Sequence, residues 1–174
     1  MPELQTAAPS DTFPPIIGDA VRDAAAEFFK SSCNLKYQEH QEHQEDEAPA
    51  SGMMSTISFL GDQPWSFSLV LPDDTAVALA KAFAGFEIPA DSADMGDVIG
   101  EVVNVIAGGI CARLDARGIK AQMSLPTVVR GANVSVLVPS GALTKRMGFA
   151  GPNGTCWFRL VKARRLGPTR QSGA

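Results

Sequence analysis

Between Ser92 and Arg117 the apolar residues recur at helical spacing and predict one long helix. On a wheel of about 100° per residue, Val98, Ile99, Val102, Val103, Ile106, Ile110 and Leu114 gather on one side as a buried stripe. An earlier stripe of Ile17, Val21, Ala24, Ala25, Phe28 and Phe29 predicts a helix from Ile16 to about Ser32. Leu35 to Tyr37 reads as the start of a strand. Met53 to Leu60 and Trp65 to Leu71 alternate apolar and polar around Gly61-Asp62-Gln63-Pro64, the pattern of an antiparallel hairpin with one buried face. Asp73 is placed as the cap of a helix bearing Val77, Leu79, Ala80, Phe83 and Ala84, closed by Gly85. Ser92 caps the long helix, and Gly118 is its stop. Beyond it, strands are predicted at Lys120–Leu125, Ala132–Val138, Leu143–Phe149 and Thr155–Lys162. Pro126 to Gly131, Pro139 to Gly141 and the turn Gly151-Pro-Asn-Gly154 separate them. This order predicts an α+β fold, with long helices layered on one antiparallel sheet.

The polar side of the long helix is unusual. Asp97, Glu101, Asn104 and Gly108 follow i, i+4, i+7, i+11 spacing and fall within a sector about 60° wide. An interior Asn costs roughly 0.7 kcal/mol against Ala, and each Gly about 1 kcal/mol. Gly108 and Gly109 could end the helix, but the apolar spacing resumes at Ile110 and Leu114. Local rules broken in this way mark functional positions, although a solvated face with glycines for close packing would look the same.

The flanks add less. Residues 1–14 read as an irregular arm, 15–164 as one domain and 165–174 as a disordered tail. Residues 38–52, with Gln38 to Glu47 rich in Glu, Gln and Asp, read as a mobile acidic loop inside the domain. Both histidines, His40 and His43, fall in that loop, which offers no fixed geometry, so no metal site is assigned. One internal echo links Gly18-Asp19-Ala-Val-Arg-Asp23 in the first helix to Gly96-Asp97-Val-Ile-Gly-Glu101 in the long one. In that register Ala26 stands where the long helix has Asn104.

With 174 residues and 45% apolar content the chain is long enough to bury a substantial core. A net charge of −4 argues against nucleic acid and anionic membranes, which demand a basic surface. Three dispersed cysteines fit a reducing compartment rather than a disulfide framework. With no signal-peptide pattern and no apolar run of about 18 residues, a soluble cytoplasmic protein is expected. Ser-His and Cys-His catalysis lack a histidine outside the loop. There is no phosphate-cradling GxxxxGK[ST], no strand followed by GxGxxG, and no CxxC or HExxH. An amide and a carboxylate on a rigid helix can orient and hydrogen-bond, but they do not attack.

The spacing Asp97-x3-Glu101-x2-Asn104, with Pro126 further on, resembles the signature of the CheC/CheX/FliY chemotaxis phosphatases. The blocks Ile99-Gly-Glu101-Val-Val-Asn104-Val-Ile-Ala-Gly108 and Met123-Ser-Leu-Pro126-Thr-Val-Val-Arg-Gly131 resemble that family too. The likeness runs from about Ile16 to Lys162 and is strongest from Asp94 to Gly131. A single ExxN, in the second long helix, is most like CheX. The resemblance implies a CheC-like pseudo-duplicated fold and removal of phosphate from the aspartyl-phosphate of a CheY-like receiver domain. It implies that Asn104 orients the attacking water and Glu101 pairs with the receiver's lysine. Gly108 would admit the partner's backbone, and Asp97 would shape the edge of the ridge. Mg²⁺ would belong to the receiver, leaving this chain without a cofactor of its own. A non-catalytic CheX-like adaptor, binding a receiver or a flagellar or signalling assembly, is the competing expectation. The acidic insert, the proline-bearing arm and the basic tail depart from the family and leave open any homodimer through sheet edges.

Overall fold

The computed structural model describes residues 12–40 and 51–164. Helix α1 spans Pro15–Ser31, α2 spans Asp73–Ala84 and α3 spans Ala93–Asp115. The strands are β1 Gln38–His40, β2 Gly52–Gly61, β3 Trp65–Pro72, β4 Ala121–Met123, β5 Thr127–Gly131, β6 Leu143–Gly151 and β7 Gly154–Lys162. All pair antiparallel in one sheet of order β1-β6-β7-β3-β2-β4, and β5 joins β2 beyond β4. One edge of β2 is thus served in succession by two short strands: β4 pairs Phe59 to Gly61 and β5 pairs Gly52 to Thr56.

Alternation decides which way each strand faces. Ile57 and Phe59 of β2, Phe67, Leu69 and Leu71 of β3, and Phe158 and Leu160 of β7 are buried beneath the helices. An aromatic chain crosses this face, from Trp65 stacked on Phe59 at 4.1 Å to Phe149 edge-on to Phe158 at 5.2 Å. Helix α1 joins it through Phe29, which stacks on Tyr37 at 4.2 Å and leans on Phe149 at 5.9 Å. Helices α1 and α3 meet closely at Gly109, where a Cβ would lie 3.4 Å from that of Ala24. By length and composition α3 could cross a membrane, yet its apolar stripe lies within the domain.

Several expectations change. Ala132 to Val138 is not a strand, and Thr127–Gly131, expected as a separator, is one. Val134, Val136 and Val138 are half-buried in alternation with exposed Asn133, Ser135 and Leu137. The segment therefore has one covered side without a ladder partner, running as a strap where Arg159 donates to the Val136 carbonyl at 3.4 Å. Pairing within Lys120–Leu125 is confined to β4, because Pro126 interrupts the run along β2. Asp73 is not a cap: Pro72 precedes α2, and the Asp73 carboxylate accepts from the Ser51 hydroxyl instead. The strand expected at Leu35 starts at Gln38, and the loop placed over 38–52 is shortened at both ends by β1 and β2. Its residues 41–50 lie outside the described residues, as do 1–11 and 165–174. Within the arm, Phe13 has irregular backbone as expected, and its ring is buried edge-on against Trp65.

Candidate functional site: the outer ridge of α3

Ser92 starts α3 as expected: its Oγ accepts from the Met95 N–H at 3.3 Å and donates to the Pro89 carbonyl at 2.7 Å. Gly118, at φ 76°, allows the reversal that follows the helix. Ile99, Val102, Val103, Ile106, Ile110 and Leu114 are buried, as their spacing predicts, while Val98 is only partly covered.

On the other side Asp97 and Glu101 are exposed, and Asn104 and Gly108 are partly covered. On the wheel Asn104 stands nearest of the four to Gly100 and Cys111, which meet the returning chain. Among the described residues, no hydrogen bond or ion pair engages the side chains of Asp97, Glu101 or Asn104. A Cβ built on Gly108 would meet nothing within 4 Å. The structure brings all four predicted residues together on one ridge.

The returning chain forms one wall of this ridge. The Cys111 thiol lies 3.9 Å from the Ala121 carbonyl, and partial burial raises its pKa, keeping it a protonated donor. At Gly100 a Cβ would touch Pro126 at 3.6 Å and Val128 at 3.5 Å. At the break between β4 and β5, Ser124 replaces ladder bonds. Its N–H donates to the Ser58 carbonyl at 2.9 Å, and its hydroxyl accepts from the Ser58 N–H at 3.0 Å. The wall leaves Leu125 86% exposed, and Val105 is 39% exposed on the opposite flank. The strand predicted over Lys120–Leu125 does not set Leu125 apart, and the stripe of α3 does not set Val105 apart; the proline after Leu125 is its one signal in the sequence. At the end of α3 an open groove of about 740 Å³ is lined by Leu60, Cys111, Ala112, Asp115, Lys120 and Ala121. Among the described residues, no three His, Cys, Asp or Glu side chains converge to hold a metal ion.

A family model described as chemotaxis phosphatase CheX matches residues 53–145, more than half of the chain. The chain belongs to the CheX family. The matched stretch contains the whole of α3, both short strands along β2 and the strap. Among solved structures, a CheC-like superfamily protein from Shewanella sp. PV-4 superposes with a TM-score of 0.76 at 19% identity, covering 86% of this chain and 98% of that one. CheX from Vibrio vulnificus gives 0.74 at 18% identity, over 83% and 97% of the two chains. CheX in the CheX–CheY–BeF3–Mg²⁺ complex from Borrelia burgdorferi gives 0.69 at 18% identity, over 85% and 97%. At these identities the likeness is one of fold, and the α+β architecture of this chain is that of the CheC-like superfamily. None of the curated sequences compared with the chain is a match.

Proposed function

We propose that the α3 ridge enters the phosphorylation site of a CheY-like receiver domain and speeds hydrolysis of its aspartyl-phosphate. The observation that carries this reading is the presence of Glu101 and Asn104 on one outward ridge of a rigid helix, without a partner among the described residues. The Asn104 carboxamide holds a water in line with the scissile bond. As the water oxygen bonds to phosphorus, the bond to the receiver's aspartate oxygen breaks, releasing inorganic phosphate and a free carboxylate. Such a reaction asks for positioning and charge stabilisation rather than a nucleophile from the catalyst. Glu101 pairs with a receiver lysine and anchors the helix. Gly108 leaves room for the partner's backbone, and Asp97 borders the ridge. Mg²⁺ stays in the receiver's site, and this chain contributes side chains alone.

Membership of a family described as a chemotaxis phosphatase supports phosphate removal, and the Borrelia burgdorferi CheX–CheY complex supports a receiver as the partner. The test is phosphate release from a phosphorylated receiver, comparing wild type with Asn104→Ala. Removing a positioning amide is expected to cost roughly a hundredfold in turnover, with binding kept. Unchanged turnover would make the chain a non-catalytic adaptor that recognises the receiver.

A further inference from the structure

We infer that Leu125 is an affinity-determining residue of the α3 face, seated on an apolar part of the receiver while Glu101 and Asn104 occupy its phosphorylation site. The inference rests on the receiver reading above and extends it. Beyond Gly118 the chain returns alongside α3 and is pinned to it twice, Ala121 at Cys111 and Pro126 at Gly100. Extended chain from Ala121 to Pro126 and helix from Cys111 back to Gly100 each cover roughly 17 Å, so the two run in step. Met123 therefore lies beside Ala107 and Gly108, and Leu125 beside the turn that holds Glu101 and Asn104.

Ser124 ties the backbone just before Leu125, and Pro126 packs against Gly100 just after it. The backbone is thus held on both sides of Leu125, yet its side chain is 86% exposed. Val105, 39% exposed, stands on the other flank. An acid and an amide are thus rimmed by apolar side chains, the arrangement that excludes bulk water once a partner covers it. Charge selects the occupant. Asp94, Asp97 and Glu101 share this face of α3 with no Lys or Arg between them, so a second copy would set acid against acid. A receiver offering a lysine beside its phosphorylated carboxylate is complementary.

The experiment measures kcat, KM and binding for CheY-like receivers of the same genome, phosphorylated with a small-molecule phosphodonor. It compares wild type, Leu125→Asp and Leu137→Asp, the last a 91% exposed leucine on the strap at the far side of the sheet. Leu125→Asp is expected to raise KM and Kd at least about tenfold while kcat stays within about twofold. Leu137→Asp is expected to match wild type. Both sites are exposed, so thermal unfolding should not move. If wild type is active and Leu125→Asp has an unchanged KM, or loses kcat alone, the inference fails and the receiver reading stands. If wild type neither binds nor dephosphorylates any receiver, both fall together.

Discussion

Helices α1 and α3 lie against each other on one sheet face, and both turn acids outward, yet they use those acids differently. On α1, Asp19 pairs with Arg22 at 2.7 Å, Arg22 also pairs with Glu39 of β1, and Glu27 pairs with Arg113 of α3. On α3, Asp97 and Glu101 have no such partner among the described residues. The glycines differ in the same sense. A Cβ on Gly18 would lie 2.8 Å from the Lys145 ammonium, whereas one on Gly108 would meet open space. Exposed ion pairs contribute little to stability, about 0–1 kcal/mol each, but they commit a side chain to its own molecule. Asp23, the echo's counterpart of Glu101, is also exposed and without a partner among the described residues, and Asp115 of α3 pairs with Lys120, so the contrast rests on Asp19 against Asp97 and on the glycines. On the function proposed above, α1 is scaffold and the ridge from Asp97 to Gly108 is the working face.

The sharpest way to break that division is Phe29→Ala on α1, which empties a fully buried ring site. It should cost about 3–5 kcal/mol in urea unfolding while turnover per folded molecule is unchanged; a changed kcat would place α1 in the chemistry. Asn104→Ala is the converse, expected to lose roughly a hundredfold in phosphate release, about 2.7 kcal/mol, while the melting curve moves up slightly, by the roughly 0.7 kcal/mol that an interior Asn costs. Gly109→Leu would wedge α1 from α3 at Ala24 and should destabilise by about 1–3 kcal/mol in thermal or urea melts.

Alkali should act on the α1 side. Burial pushes the Cys33 thiol from its ordinary 9.0 to about 11. Burial first, and then the nearby Cys156 and Cys33, push Tyr37 from 10.0 to about 12. The unfolded chain ionises these groups first, so it binds fewer protons there and stability falls as pH rises. Their contribution is whole below about pH 9 and is lost towards pH 11 and 12, by at most about 1.4 kcal/mol per pH unit for each group. Urea midpoints across that range would show it; a flat profile would refute it. The smallest effect belongs to Gly108→Ala. Nothing crowds the new methyl, so helix propensity should add about 0.5–1 kcal/mol to stability in a thermal melt.

Much of this was legible in the sequence because it depends on local period. The α3 stripe, the β2–β3 hairpin and the Ser92 cap follow from spacing and capping chemistry that act within a few residues. The ridge was legible for the same reason, since four positions on one helix share a side whatever the rest of the chain does. The errors lie where a partner decides. Val134, Val136 and Val138 alternate as a strand would, but alternation reports a half-covered side and not a paired edge. Gln38–His40 looks like acidic loop until β6 is there to pair with it. Leu125 could not be separated from a strand residue without Ser58 and Gly100 to show where the backbone is fixed.

The pairing of His40 with Gly148 has a consequence for synthesis. When β1 leaves the ribosome, its ladder partner β6 has yet to be translated, and α1 likewise waits for α3. At 5–20 residues per second that interval is on the order of ten seconds. Until α3 emerges, the apolar stripe of α1 closes only in part, through Phe29 on Tyr37 and then Phe28 on Phe83 of α2. β1 is therefore the strand that waits longest for its partner during synthesis.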